Sequence, residues 1–201
     1  CMNTNSQIIE NIEALTFKTK ISEIGGLIID VRTPEEFSSG YIADATNIDF
    51  YANDFDQKLN IISKNQPIYI YCRSGGRSSA TAKKLEKLGF NQVYNLSGGI
   101  SSWNSAGYKI NKLSDTSKNY TDRKVKEPFF TDLEIDKFLT ENQIVLLVFS
   151  TEWCVPCRKM KPIFETIQQE RPDMKVVFID ADINKELMKS YSVNSIPTFI
   201  L

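Results

Sequence analysis

Apolar residues fall into two patterns along this chain. Runs at residues 27–31 (broken only by Asp30), 68–71 and 144–149 have the length and the β-branched and aromatic content of buried strands. Segments 46–48, 93–95, 175–180 and 198–201 read as further strands. Between them, apolar positions recur at helical spacing. Ala80, Ala82, Leu85 and Leu88 outline a helix over 78–88 that Gly89 ends. Pro34 opens a short helix with Thr33 as its cap. Residues 55–62 and 185–191 read as helices, and Gly98-Gly99 introduces a short helix holding Trp103. Thr131 and Glu134 have capping-box spacing at the head of a helix over 131–139. Residues 157–170 read as helical with an interruption at Pro162. Strands alternating with helices predict α/β architecture on a mainly parallel sheet.

Residues 111–127 break this rhythm. They are polar, mixed in charge and without an apolar period, so they read as a linker. The predicted layout is a tail over 1–6, a first domain over 7–110, the linker, and a second domain over 128–201. A length of 201 residues accommodates two small domains. The composition, 41% hydrophobic and 24% charged, is that of a soluble globular protein. A net charge of -1 gives no global attraction to nucleic acid or to an anionic membrane. No apolar run approaches the ~18 residues of a membrane span.

The chemistry is constrained by what is missing. With no histidine, the usual general base and the commonest metal ligand are both absent, so a nucleophile must be activated some other way. The cysteines are Cys1, Cys72, Cys154 and Cys157. Cys154 and Cys157 are spaced to pair with each other, while Cys72 is remote, which suggests redox chemistry over a structural disulfide framework. The chain opens on Cys1 and a polar stretch, residues 3–7. One reading is a mature bacterial lipoprotein acylated on Cys1, on the periplasmic face of a membrane and attached to it only through that lipid. The other takes Cys1 as a fragment boundary, with Met2 as one candidate start, and leaves the protein in the cytoplasm.

The strand predicted at 68–71 runs directly into Cys72-Arg73-Ser74-Gly75-Gly76-Arg77-Ser78 and then a helix. A cysteine on such a turn sits beneath converging backbone N–H groups and a helix N-terminus. The glycines let the loop curl around the sulfur, and Arg73 and Arg77 are expected to add positive charge, together lowering the thiol pKa. This segment resembles the rhodanese family. So do Asp30-Val31-Arg32-Thr33-Pro34-Glu35-Glu36-Phe37, the stretch from Gly40 to Ile48 with Tyr41 where histidine is common, and Leu96-Ser97-Gly98-Gly99-Ile100-Ser101-Ser102-Trp103. The resemblance covers most of residues 7–110 and implies a cysteine that takes sulfane sulfur from a donor such as thiosulfate, holds it as a persulfide and passes it on. It assigns Cys72 as nucleophile and Arg73, Ser74, Gly75, Gly76 and Arg77 as the anion cradle, with Asp30 and Arg32 bracing the loop. Four residues separate Cys72 from Arg77. Related phosphatases use five, for a tetrahedral anion, so the shorter loop favours sulfur transfer over phosphatase or arsenate reductase chemistry. The bland alternative is an inert, buried Cys72.

Trp153-Cys154-Val155-Pro156-Cys157-Arg158 follows a strand and opens a helix, a placement that favours a thiolate on the first cysteine. With Lys161-Pro162, Asp180-Ala181-Asp182 and Ser195-Ile196-Pro197-Thr198, it resembles thioredoxin over about 128–201. That implies catalytic Cys154 and Cys157, supporting Trp153 and Pro156, and a cis Pro197 facing the pair in the substrate groove. Val155-Pro156 is close to the Gly-Pro of reducing thioredoxins and lacks the histidine of oxidases, which argues for a reductant. Val148 and Phe178 stand where thioredoxins bury an acid and its lysine partner, leaving water or Glu152 to handle the proton of Cys157. The resemblance also leads one to expect a longer gene product, because the family's last strand and helix would follow residue 201. A zinc site lacks ligands, and no cofactor is expected.

Taken together, the sequence predicts a rhodanese-like parallel sheet with flanking helices, followed by a thioredoxin-like mixed sheet. The expected function is sulfur transfer at Cys72, with the Cys154/Cys157 dithiol reducing its persulfide or other disulfides and an external thiol reductant regenerating the pair. The rival is a partner-binding first domain that delivers a general disulfide reductase.

Overall fold

In this computed structural model, residues 8–112 and 130–201 are described. The predicted tail with Cys1, and all of the predicted linker beyond residue 112, lie outside the described residues. The chain separates into two compact units, one on each side of the 113–129 segment.

The first unit is a five-stranded, all-parallel sheet in the order β1-β5-β4-β2-β3. Its strands are β1 (Ile8–Ile12), β2 (Leu27–Asp30), β3 (Thr46–Asn47), β4 (Ile68–Tyr71) and β5 (Gln92–Leu96). The helices are α1 (Ala14–Ile24), α2 (Pro34–Ser39), α3 (Phe55–Asn60), α4 (Gly76–Lys87) and α5 (Gly99–Ser105). All four residues of β4 are buried, as expected of a central strand covered on both faces. Phe17 of α1 meets Tyr69 edge-on at 5.5 Å and Trp103 of α5 at 6.2 Å, so one face of the sheet is closed by aromatics. Because every strand points the same way, β2, β4 and β5 all release their chains at one edge. Asp30–Arg32, the Cys72 loop and Gly98–Gly99 therefore gather there, where parallel sheets place their ligand sites.

The second unit is a mixed three-stranded sheet, β7-β6-β8. Strand β6 (Ile144–Ser150) pairs in parallel with β7 (Met174–Asp180) and antiparallel with β8 (Thr198–Ile200). The helices are α6 (Asp132–Glu141), α7 (Val155–Glu170) and α8 (Lys185–Ser190). Thr131 caps α6 through the capping box with Glu134. One expectation needs correction: α7 runs unbroken through Pro162. The proline removes a single hydrogen-bond donor midway along a 16-residue helix, and packing of Phe164, Met160 and Ile167 against the sheet outweighs that loss. Among the described residues, no helix is long and apolar enough to cross a membrane.

Candidate functional sites

Cys72 follows β4 directly and is 1% exposed. The loop that encloses it is turned by Gly75, whose left-handed backbone (φ 111°) caps α4. The loop's own carbonyls are drawn away from the sulfur. The Cys72 carbonyl accepts from the Ile100 N–H at 2.9 Å, and the Arg73 carbonyl accepts from the N–H of Ser101 at 3.2 Å and from its hydroxyl at 2.9 Å. Gly99 is required at this junction. A Cβ there would lie 2.4 Å from the Cys72 carbonyl oxygen, at a φ of 61°. The donors are left facing inward. The Gly75 N–H reaches Cys72 Sγ at 3.0 Å and the Ser78 hydroxyl reaches it at 3.5 Å. Burial pushes the Cys72 thiol up, but the Ser78 hydroxyl and the N–H groups of Ser78, Gly75 and Ser74 outweigh it and hold the thiol below its ordinary value.

The two arginines are placed differently. Arg77 is held by Glu36 through two bonds of 2.6 and 2.9 Å, so its charge is spent on a carboxylate. Arg73 is exposed at the rim. The donors in direct contact with the sulfur are neutral, and Arg77 adds an electrostatic attraction to a Cys72 thiolate from within its pair with Glu36. Asp30 and Arg32 form a buried pair, and Arg32 also donates to the Gly40 carbonyl at 2.7 Å. This pair braces the α2–Gly40 turn, and the tie from that turn to the Cys72 loop is Glu36–Arg77.

In the second unit Cys154 is the N-cap of α7 and is bonded to Cys157 as a disulfide. The Cys157 N–H donates to Cys154 Sγ at 3.3 Å, so the first sulfur sits on the helix's positive end. Both cysteines are buried. Trp153 donates its indole N–H to Asp182 at 2.8 Å, tying the turn to the end of β7. Ile196-Pro197 is cis. Thr198 pairs with Phe149, so Pro197 comes at the edge of the sheet from which β6 leads to Cys154.

A Rhodanese-like domain model matches residues 13–106, and a Thioredoxin model matches residues 126–201. A sulfurtransferase from Allochromatium vinosum is 37% identical over 84 residues, 42% of this chain and 77% of that protein. A thioredoxin from Mycoplasmoides gallisepticum is 39% identical over 67 residues, 33% of this chain and 67% of that protein. The chain belongs to the rhodanese-like family in its first unit and to the thioredoxin family in its second. YqhL of Bacillus subtilis, an uncharacterized protein, is 41% identical over 76 residues, and the chain spans only 59% of its length. The pairing of a rhodanese-like domain with a thioredoxin domain supports a role in sulfur transfer and thiol–disulfide chemistry.

Within the thioredoxin domain, Val148 and Phe178 face each other across β6 and β7 and pack with Phe164 under α7. Lys161 lies 4.9 Å from the Phe178 ring centre, and Glu152 is exposed. Thr151 is buried and its hydroxyl meets no partner. Within the rhodanese-like domain, sequence reasoning passed over Ser78, Glu36 and Gly99 as site residues. Glu36 carried a signal, its capping-box spacing from Thr33, but nothing local announced that its carboxylate would also reach Arg77.

Proposed function

We propose that the protein is a sulfurtransferase coupled to a dithiol reductase. Cys72 as thiolate attacks the outer sulfur of a sulfane-sulfur donor. With thiosulfate, the S–S bond breaks, sulfite leaves with the bonding pair, and Cys72 holds a persulfide. The Cys154 thiolate then attacks the Cys72 sulfur, hydrosulfide leaves, and a Cys72–Cys154 disulfide forms. Cys157, after losing its proton, attacks Cys154. This frees the Cys72 thiolate and closes the Cys154–Cys157 disulfide, which an external thiol reductant reopens. Exchange within one chain or between copies satisfies the same balance.

The observation that carries this reading is the buried Cys72 sulfur, with N–H and hydroxyl donors turned onto it and the thiol lowered despite burial. That environment holds one extra negative charge on sulfur without histidine or metal. The test uses the full chain with Cys72→Ser and Cys154→Ser variants, offered thiosulfate or cysteine persulfide. Cys72→Ser should take up no sulfur by intact mass yet still reduce a protein disulfide, while Cys154→Ser should accumulate the Cys72 persulfide. Undiminished sulfur transfer by Cys72→Ser would refute the assignment.

A further inference from the structure

Arg32 and Arg77, the two arginines near the Cys72 site that the fold fixes in place, are each paired with a carboxylate. Arg32 is buried against Asp30. Arg77 presents its guanidinium edge to Glu36, and Tyr51, 68% exposed, lies with its ring centre 5.8 Å from the guanidinium carbon. Glu36 is itself fixed in place, because the same carboxylate accepts the Thr33 N–H at 3.3 Å and the Thr33 hydroxyl accepts the Glu36 N–H at 3.4 Å. Arg77 therefore cannot turn its fork to an incoming sulfonate without leaving a bidentate carboxylate. Arg73 remains, exposed and screened by salt, and attracts any anion alike. On Cys72 itself the direct donors are neutral, the Gly75 N–H and the Ser78 hydroxyl, and Arg77 acts on the sulfur only as a field already shared with Glu36.

We infer that Glu36 selects the sulfur donor: by occupying Arg77 it biases the Cys72 site toward organic persulfides, R–S–SH, and against the thiosulfate dianion. The inference rests on the proposed sulfur transfer and narrows it. In the favoured step the Cys72 thiolate bonds to the outer sulfur of R–S–SH and the S–S bond breaks. R–S⁻ leaves with the bonding pair, and the proton stays on the transferred sulfur, giving Cys72–S–SH. One negative charge is present before and after. With thiosulfate a dianion must enter and sulfite, also a dianion, must leave, which an uncancelled arginine would assist.

The test compares cysteine persulfide with thiosulfate as donors to the wild-type chain and to Glu36→Gln. A glutamine oxygen can still close the capping box, so the substitution removes mainly the charge. Wild type should show a kcat/KM for cysteine persulfide at least about tenfold above that for thiosulfate. Releasing one positive charge near a dianion should raise the thiosulfate value roughly tenfold, mostly through KM, and the persulfide value no more than about threefold. The gain should shrink as ionic strength rises. A merely structural role would lower both donors together and show no salt dependence. Equal use of the two donors by wild type would overturn the inference without a variant, and so would an unchanged thiosulfate value in folded Glu36→Gln. Failure of Cys72 to gain sulfur from either donor would instead sink the sulfur-transfer reading beneath it.

Discussion

Ser78→Ala isolates the largest favourable contribution to the lowered Cys72 thiol. A hydrogen bond to a charged group contributes about 1.5–3 kcal/mol. The Ser78 hydroxyl is 3.5 Å from the sulfur and 3.2 Å from the Gly75 carbonyl, and its one proton serves one acceptor at a time. The lower end applies, about 1.5 kcal/mol, roughly a factor of ten in the thiol's ionisation. The assay is alkylation by iodoacetamide against pH, in a full chain whose other cysteines are serine. Ser78→Ala should react about tenfold more slowly than its parent at pH below the thiol's titration, and the two rates should converge well above it. Linkage gives a second readout. The folded thiol titrates below the unfolded one, so its ionisation stabilises the first unit fully above the unfolded value and is lost as pH falls through the folded value. Ser78→Ala should therefore cost more stability at alkaline than at acid pH. Superimposable profiles would show that the hydroxyl does nothing for the thiolate, and a rate deficit that persists at high pH would mean the substitution altered access instead.

Three further substitutions test the frame around both sites. Gly99→Ala should lose about 2 kcal/mol or more of first-unit stability by denaturant titration, and sulfur uptake with it, because its Cβ meets the Cys72 carbonyl at a positive φ; wild-type stability would mean that the loop relaxes freely. Asp30→Asn leaves buried Arg32 without its countercharge and should cost about 3–5 kcal/mol in thermal or chemical unfolding. Thr151→Val replaces a buried, unpaired hydroxyl with a methyl of similar shape, so second-unit stability should hold or rise by about 1 kcal/mol; a clear loss would reveal a partner for that hydroxyl.

The elements that read clearly were those whose pattern had one cause. Strand β4 is buried on both faces, and its predicted span over 68–71 is the observed one. The capping box at Thr131 and the C-terminal stop at Gly89 depend on neighbours within a turn, and both appear. Strand β1 and helix α1 escaped notice because their signals are mixed. Glu10 and Asn11 interrupt the apolar run of β1, and exposed Leu15 and Ile24 blur the face that Phe17 buries. The Cys72 loop was legible because its strand, cysteine, glycines and helix are contiguous. Its electrostatics were not, since Glu36 lies 41 residues from Arg77 and only the fold brings them together. Pro162 misled for a related reason, a local penalty outweighed by packing that sequence does not display.

The second unit meets the lack of histidine by another route, with a consequence for its rate. Cys154 has the helix N-terminus, but resolving a mixed disulfide requires Cys157 to lose its proton, and Cys157 is buried at the start of α7. Beneath α7 the floor is Val148, Phe164 and Phe178, which accept no proton. With no acceptor in that floor, the proton must go to solvent or to exposed Glu152, so resolution should quicken as pH rises, and a Cys154–substrate disulfide should build up near neutral pH. Val148→Asp puts an acceptor into that floor. Burial raises such a carboxyl toward neutrality, where it can take the proton and return it. Single-turnover reduction of a protein disulfide, quenched with acid, would count the mixed disulfide directly. Folded Val148→Asp should hold several-fold less of it than wild type at neutral pH and show a flatter pH dependence. If both proteins resolve equally fast with the same pH profile, proton removal from Cys157 does not limit the reaction, and the apolar floor is a matter of packing alone.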